Sequence, residues 1–203
     1  MKNYHIPLKP EGVYHLYARA IGKERMFREE ENYAYFLSRV FHHLYPVMDL
    51  YSYALIPNHF HLLVRIKPLQ DLDAYYRTVK HRGELCSVRA PGFVMQQVSN
   101  LLNGYCKAFN SRFKRMGGLF IPARRVRMET VDQLKRTCRY IHQNPVKHKL
   151  VADFRDWSWT SYATLASPGP SIFLKKDELL QAFGGACEFS AFHSLKLGEI
   201  VQP

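Results

Sequence analysis

The chain has 203 residues, 47% of them hydrophobic, and its 29 Lys and Arg against 17 Asp and Glu give a formal charge of +12. That length and apolar content point to one folded domain of ordinary size with a buried core, and exclude a disordered tail. No apolar run reaches about 18 residues, so no membrane span is expected, and the opening MKNYHIPLKP lacks the apolar stretch of a secretory signal, which makes the cytoplasm the default.

Residues 12–21, GVYHLYARAI, are rich in Tyr and Val, alternate in part, and read as a first strand. Residues 29–44 begin acidic and carry Phe36, Val40 and Leu44 at helical spacing, with Pro46 as the stop. Two strand-like runs follow at 48–56 and 59–67, joined through Pro57-Asn58. LQDLDAYYRTVKHRG reads as a short helix or ordered loop. Residues 94–115 form the longest expected helix, ended by Gly117-Gly118. LFIPARRVRME is an extended arm, and Thr130 with Gln133 has the spacing of a capping box for a helix expected to stop near Asn144, before Pro145. Short strands separated by single helices predict an α+β fold, a mainly antiparallel sheet with helices packed on one face. The expected organisation is a domain over 1–165 and an appendage over 166–203 packed on it.

Cys86, Cys106, Cys138 and Cys187 are widely and irregularly spaced, which argues against a zinc knuckle or a disulfide scaffold and for reduced thiols acting mostly as small core residues. The charge favours a polyanion, nucleic acid first. It is also clustered: residues 107–127 hold Lys107, Arg112, Lys114, Arg115, Arg124, Arg125 and Arg127 without an acid, interleaved with Phe109, Phe113 and Phe120. Basic residues with aromatics fit a nucleic-acid groove, although those aromatics serve a core equally well.

Within the apolar run YALIPNHFHLLVRI, His59 and His61 are two residues apart, so a strand puts both imidazoles on one face and Phe60, Leu62 and Val64 on the other. The pair suits two ligands of one ion, and equally a pair of hydrogen-bonded histidines. A third ligand would have to come from elsewhere, and an oxygen there would favour Mg²⁺ or Mn²⁺. In the helix after Thr130, Val131, Leu134, Cys138 and Ile141 make the expected buried stripe. Tyr140 lies off that stripe, with Arg136 one turn below and Asn144 one turn above. A phenol becomes a nucleophile when its proton is removed or when a metal polarises its electrophile.

YALIPNHFHLLV (53–64) resembles the signature of the HUH single-tyrosine transposases. YIHQNPVKHKLV (140–151), DWSWTSY (156–162), GVYHLYARAIGKERMF (12–27), ENYAYFL (31–37) and FNSRFKRMGGLF (109–120) resemble the REP-associated tyrosine transposase branch, over roughly residues 10–165. The resemblance implies a ferredoxin-like or RRM-like sheet of the HUH nuclease type and a Mg²⁺ or Mn²⁺ ion on His59 and His61. It implies that Tyr140 attacks single-stranded DNA flanked by hairpin (REP-like) elements, leaving a 5′-phosphotyrosine link and a free 3′-OH, in a monomer or a homodimer. Relatives often carry a Gln one turn after the nucleophile as third ligand. Asn144 occupies that place here, with Gln143 and His142 beside it. Tyr105, a rival nucleophile, falls in an apolar stripe and reads as core. Arg124, Arg125 and Arg127 are assigned to DNA phosphates, with Lys114, Arg115 and Lys147 as further candidates. The competing expectations are a domesticated binding module that no longer cuts and a metal-dependent hydrolase that uses water in place of Tyr140.

Overall fold

In the computed structural model, which describes residues 6–80 and 83–195, strand alternation sets the two faces of the sheet. Val13–Arg19 (β1) buries Tyr14, Leu16 and Ala18 on one face and turns His15, Tyr17 and Arg19 to the other. Glu30–Leu44 (α1) enters through a reciprocal capping box between Glu29 and Asn32 and buries Tyr33, Phe36, Val40 and Leu44. Met48–Ile56 (β2) and His59–Ile66 (β3) form the hairpin that Pro57-Asn58 predicts. Leu69–Lys80 (α2) resolves the helix-or-loop alternative as a helix, and Ala90–Arg112 (α3) is the long helix. The extended arm is Arg124–Arg127 (β4). The pairings among these four strands are antiparallel and the order is β2-β3-β1-β4.

The α+β expectation holds. α1 and α3 lie on one face, where Phe36, Phe60, Leu62 and Tyr105 share a core with Tyr14 and Leu16. Tyr105 is fully buried and its hydroxyl donates to the Met26 carbonyl at 2.5 Å, so it is core as expected. The other face carries a further layer. Val131–Lys147 (α4) crosses it, and a second core joins Tyr51, Ala54 and Leu63 of the sheet to Cys138 and Ile141 of α4. Tyr162–Ala166 (α5), Lys176–Phe183 (α6) and Ala186–Ser194 (α7) complete that core with Tyr162, Leu165, Leu179, Phe183 and Phe189. Residues 196–203 of the expected appendage, like 1–5 of the expected domain, lie outside the described residues.

The chain after α4 also covers the outer edge of β2. The Leu55 N–H donates to the Trp159 carbonyl at 2.9 Å and the Ser161 N–H to the Tyr53 carbonyl at 3.0 Å, which satisfies backbone groups that an open edge would leave available for pairing with another chain. Arg65 on β3 ties α6 to the sheet by bonds to Asp49 at 2.9 Å and Glu178 at 2.6 Å.

Three expectations are corrected. α4 does not stop before Pro145 but runs through it to Lys147. The missing proline N–H costs only the bond to the Ile141 carbonyl, and the next turn closes through His148 N–H to Asn144 O at 3.0 Å and Leu150 N–H to Pro145 O at 2.9 Å. Val131, expected in the buried stripe, is 58% exposed, because α4 is covered on several sides only in its second half, where the tail helices reach it. Of the four cysteines, all free, only Cys138 is buried, since Cys86 and Cys187 fall outside both cores. Among the described residues no helix is long and apolar enough to cross a membrane.

Lys176 is a buried cation (6% exposed) whose ammonium donates to the carbonyls of Thr164 at 3.1 Å, Gly169 at 2.9 Å and Ser167. It closes the C-terminal end of α5 and the turn after it. Replacing it with Met keeps the stem and strands three carbonyls, which should cost about 2–3 kcal/mol and lower the thermal midpoint by about 5–10 °C. A thermal melt of Lys176→Met checks this, and an unchanged midpoint refutes it.

Candidate active site

His59 and His61 are both buried, on the face of β3 that α4 crosses. The register sets Arg19 opposite His59 and Tyr17 opposite His61. Each ring is tied by its Nδ1. The His59 Nδ1–H donates to Asn58 Oδ1 at 2.8 Å, and His61 Nδ1 meets His15 Nε2 at 2.8 Å. The Nε2 atoms are therefore the ones left for the site. His61 Nε2 is buried with no hydrogen-bond partner, and His59 Nε2 faces Asn144 Oδ1 at a long 3.4 Å. The Asn144 amide is turned this way because its Nδ2 donates to the Tyr140 carbonyl one helical turn back, at 3.1 Å.

With the His59 proton on Nδ1, its Nε2 is a lone pair, and it faces the lone pairs of Asn144 Oδ1 beside an unpartnered nitrogen of His61. Buried acceptors that converge without a proton between them are unfavourable unless a cation joins them. Two imidazole nitrogens and one amide oxygen fit a divalent ion. Burial, chiefly, keeps the rings neutral and their lone pairs available: the pKa of His59 is lowered to about 4, that of His15 to about 3, and that of His61 well below its ordinary value.

α4 brings the tyrosine to the same place. The Tyr140 ring stands edge-on to His61, centroids 5.6 Å apart, and to His15 at 6.1 Å. Lys147 Nζ lies 4.2 Å from the centre of the Tyr140 ring, and His148 packs on His59 at 4.7 Å. Both reach the site because the helix continues past Pro145. Arg136, expected below Tyr140, is paired with Asp132 instead. The two substitutes for Asn144 point elsewhere. Gln143 accepts from Arg139 at 3.2 Å, and His142 bonds to His193 and Ser161.

The basic residues do not form one surface. Strand period divides the arm. Arg124 pairs with Tyr17 and shares the histidine face. Arg125 pairs with Leu16 on the opposite face, where its guanidinium donates to Met95 Sδ at 2.6 Å, and Arg127, opposite Tyr14, lies 3.5 Å from Glu129. Arg115 is a loop staple, bonded to Glu24 at 3.0 Å and to the Gly118 carbonyl at 2.7 Å. Lys114 is exposed in a left-handed turn (φ 49°) after α3. Arg19 and Lys147 are the cations brought beside the histidines, and both act on the charge of His148.

On the far side of α4, Cys138 Sγ, His142 Nδ1 and His193 Nε2 lie within 4.8 Å of one another, a second set able to hold an ion. Here, unlike at His59 and His61, hydrogen bonds close the set. His193 Nδ1–H donates to the Phe189 carbonyl, His142 Nδ1–H to His193 Nε2, and the Ser161 hydroxyl to His142 Nε2, each at 2.8 Å.

Sequence reasoning missed His15, Tyr17 and Arg19. Their signal is the period-two pattern of VYHLYAR, which places all three on one face. Tyr17 stacks on both His15 (4.8 Å) and His61 (5.5 Å).

No protein-family model matches the chain, and no curated protein matches it. Among solved structures, the chain is similar to a REP-associated tyrosine transposase bound to a REP hairpin, with a TM-score of 0.54, 12% identity, and coverage of 81% of this chain and 84% of that one. This chain has the fold of a REP-associated tyrosine transposase. The transposase fold is thus common to both proteins across most of their lengths, as the ordered motifs of the sequence imply.

Proposed function

We propose that this protein nicks and rejoins single-stranded DNA beside hairpin elements, with Tyr140 as nucleophile. The observation that carries the reading is the convergence of His59 Nε2, the orphaned His61 Nε2 and Asn144 Oδ1 beside the Tyr140 ring. A binding module has no use for such a cluster. The structural neighbour is bound to a REP hairpin, which supports a hairpin-bearing strand as the substrate here.

The Tyr140 oxygen attacks the scissile phosphorus and loses its proton. The bond to the 3′ oxygen breaks, that oxygen takes up a proton, and the 5′ side stays on the tyrosine. One phosphodiester replaces another, so the 3′-OH can reverse the step without an external nucleotide. A Mg²⁺ or Mn²⁺ ion on His59, His61 and Asn144 would supply positive charge against the scissile phosphate oxygens. The chain's own part is placement. α4 holds the phenol against the histidine face, Lys147 sets a cation beside it, and Arg19 and Arg124 offer charge for the flanking phosphates, in contacts that weaken steeply with salt.

Incubation of the chain with labelled hairpin oligonucleotides and Mn²⁺ tests the reading. A protein–DNA band that survives denaturation, mapped by peptide mass to Tyr140, supports it. Cut DNA without an adduct indicates hydrolysis by water, and binding without cleavage indicates a module that no longer cuts. Replacing Lys147 with Met should slow adduct formation roughly 10- to 100-fold. It should leave Mn²⁺ affinity unchanged, since the lysine touches the ring and not the histidine nitrogens. Equal rates would remove it from the chemistry.

A further inference from the structure

Why does His61 present Nε2 to the site and not a proton? Two imidazole nitrogens 2.8 Å apart, His61 Nδ1 and His15 Nε2, share one hydrogen. If it rode on His15, the proton of neutral His61 would sit on Nε2, which is buried and makes no hydrogen bond. An orphaned buried N–H is expensive. If it rides on His61 Nδ1, His15 Nε2 is the acceptor, no buried N–H is left unmet, and His61 Nε2 becomes a lone pair beside the His59 ring, centroids 5.0 Å apart.

We propose that His15 is the positioning residue of His61: its Nε2 accepts the His61 Nδ1–H, holds that ring in the Nδ1–H tautomer and leaves Nε2 free to bind a divalent ion. The last clause rests on the metal reading of His59 and His61 given above.

Three further observations support the assignment. His15 and His61 stand on one face of paired strands, diagonally across the ladder, since Tyr17 and not His15 is opposite His61. The rings stack, centroids 5.0 Å apart and planes 27° from parallel, with Tyr17 packed on both, so neither is free to turn. His59 is held in the same sense by a different residue, since Asn58 Oδ1 accepts its Nδ1–H. The site therefore has two rings, each locked through Nδ1 by an outer partner and each turning Nε2 inward. Such outer partners fix tautomer and orientation at metal sites, and removing one commonly weakens metal binding about 10- to 100-fold.

Long-range proton–nitrogen NMR correlations on the ¹⁵N-labelled full chain without metal read the tautomer directly. The expected result is a proton on His61 Nδ1. His15→Leu, which has no acceptor, should lose that preference and weaken Mn²⁺ binding by calorimetry about 10- to 100-fold. His15→Gln, whose Oε1 reaches about where Nε2 lies, should restore both, a rescue that a purely packing role would not produce. A wild-type His61 protonated on Nε2, or His15→Leu that binds Mn²⁺ as wild type does, overturns the proposal. A wild type with its proton on Nδ1 that binds no Mn²⁺ upholds the tautomer assignment and overturns the metal reading instead. Should His15→Leu fail to fold, the wild-type spectrum and His15→Gln decide the matter.

Discussion

Tyr140→Phe is expected to abolish the covalent protein–DNA product while leaving the fold and hairpin binding in place. The substitution removes one oxygen. The ring keeps its edge contacts with His15 and His61 and its place beside Lys147. Asn144 keeps its bond to residue 140, because that bond goes to the backbone carbonyl. Binding should stay within about two-fold, as for a change that makes no cavity. Loss of a nucleophile has no such tolerance, and the rate of adduct formation should fall at least about 10³-fold. Cleavage that persists in the variant would assign the chemistry to water and leave Tyr140 as a wall of the pocket.

The second large effect is acid sensitivity. Burial, the leading cause at each ring, lowers the pKa of His15 to about 3 and of His59 and His193 to about 4, and puts His61 and His142 well below their ordinary value. The unfolded chain binds protons at these rings near pH 6.5, and the folded chain does not. Below about pH 6.5 the unfolded state therefore holds more protons, so stability is present above that pH and is lost as the pH falls. His15–His61 and His142–His193 are bonded pairs. Each of the five rings that takes up a proton on unfolding contributes up to about 1.4 kcal/mol per pH unit to that loss. Between pH 6.5 and 5.5 the thermal midpoint should drop by about 10 °C. Melting curves that superimpose from pH 7.5 to 5.5 would mean that the histidines are not buried as described.

How much of this was legible in the sequence follows from how far each rule reaches. The shared face of His59 and His61 needs only the two-residue period of one strand, and Asn144 lies one helical turn from Tyr140 whatever the fold. His15 obeys the same period, but its partnership with His61 depends on which strands are neighbours, and that is settled by tertiary pairing between β1 and β3. Along the chain, Arg124–Arg127 is part of one basic stripe. The strand period separates Arg124 from Arg125 and Arg127, and β4 had to be known as a strand before that rule could apply. The sequence offers Lys147 as a candidate for DNA phosphates but not as a neighbour of Tyr140, because Pro145 signals a stop, whereas a proline in the last turn of a helix interrupts a single bond. His193 lay in a tail with no chemical motif. Its role in the network behind α4 appears only when α7 docks.

The meeting of β3 and α4 within one chain has a consequence for kinetics. Both halves of the site meet within the fold of a single chain. If Tyr140 cuts DNA as proposed, specific activity should then be independent of protein concentration down to high dilution. Mixing a chain that lacks His61 with one that lacks Tyr140 should restore nothing, because neither can lend its partner the missing half.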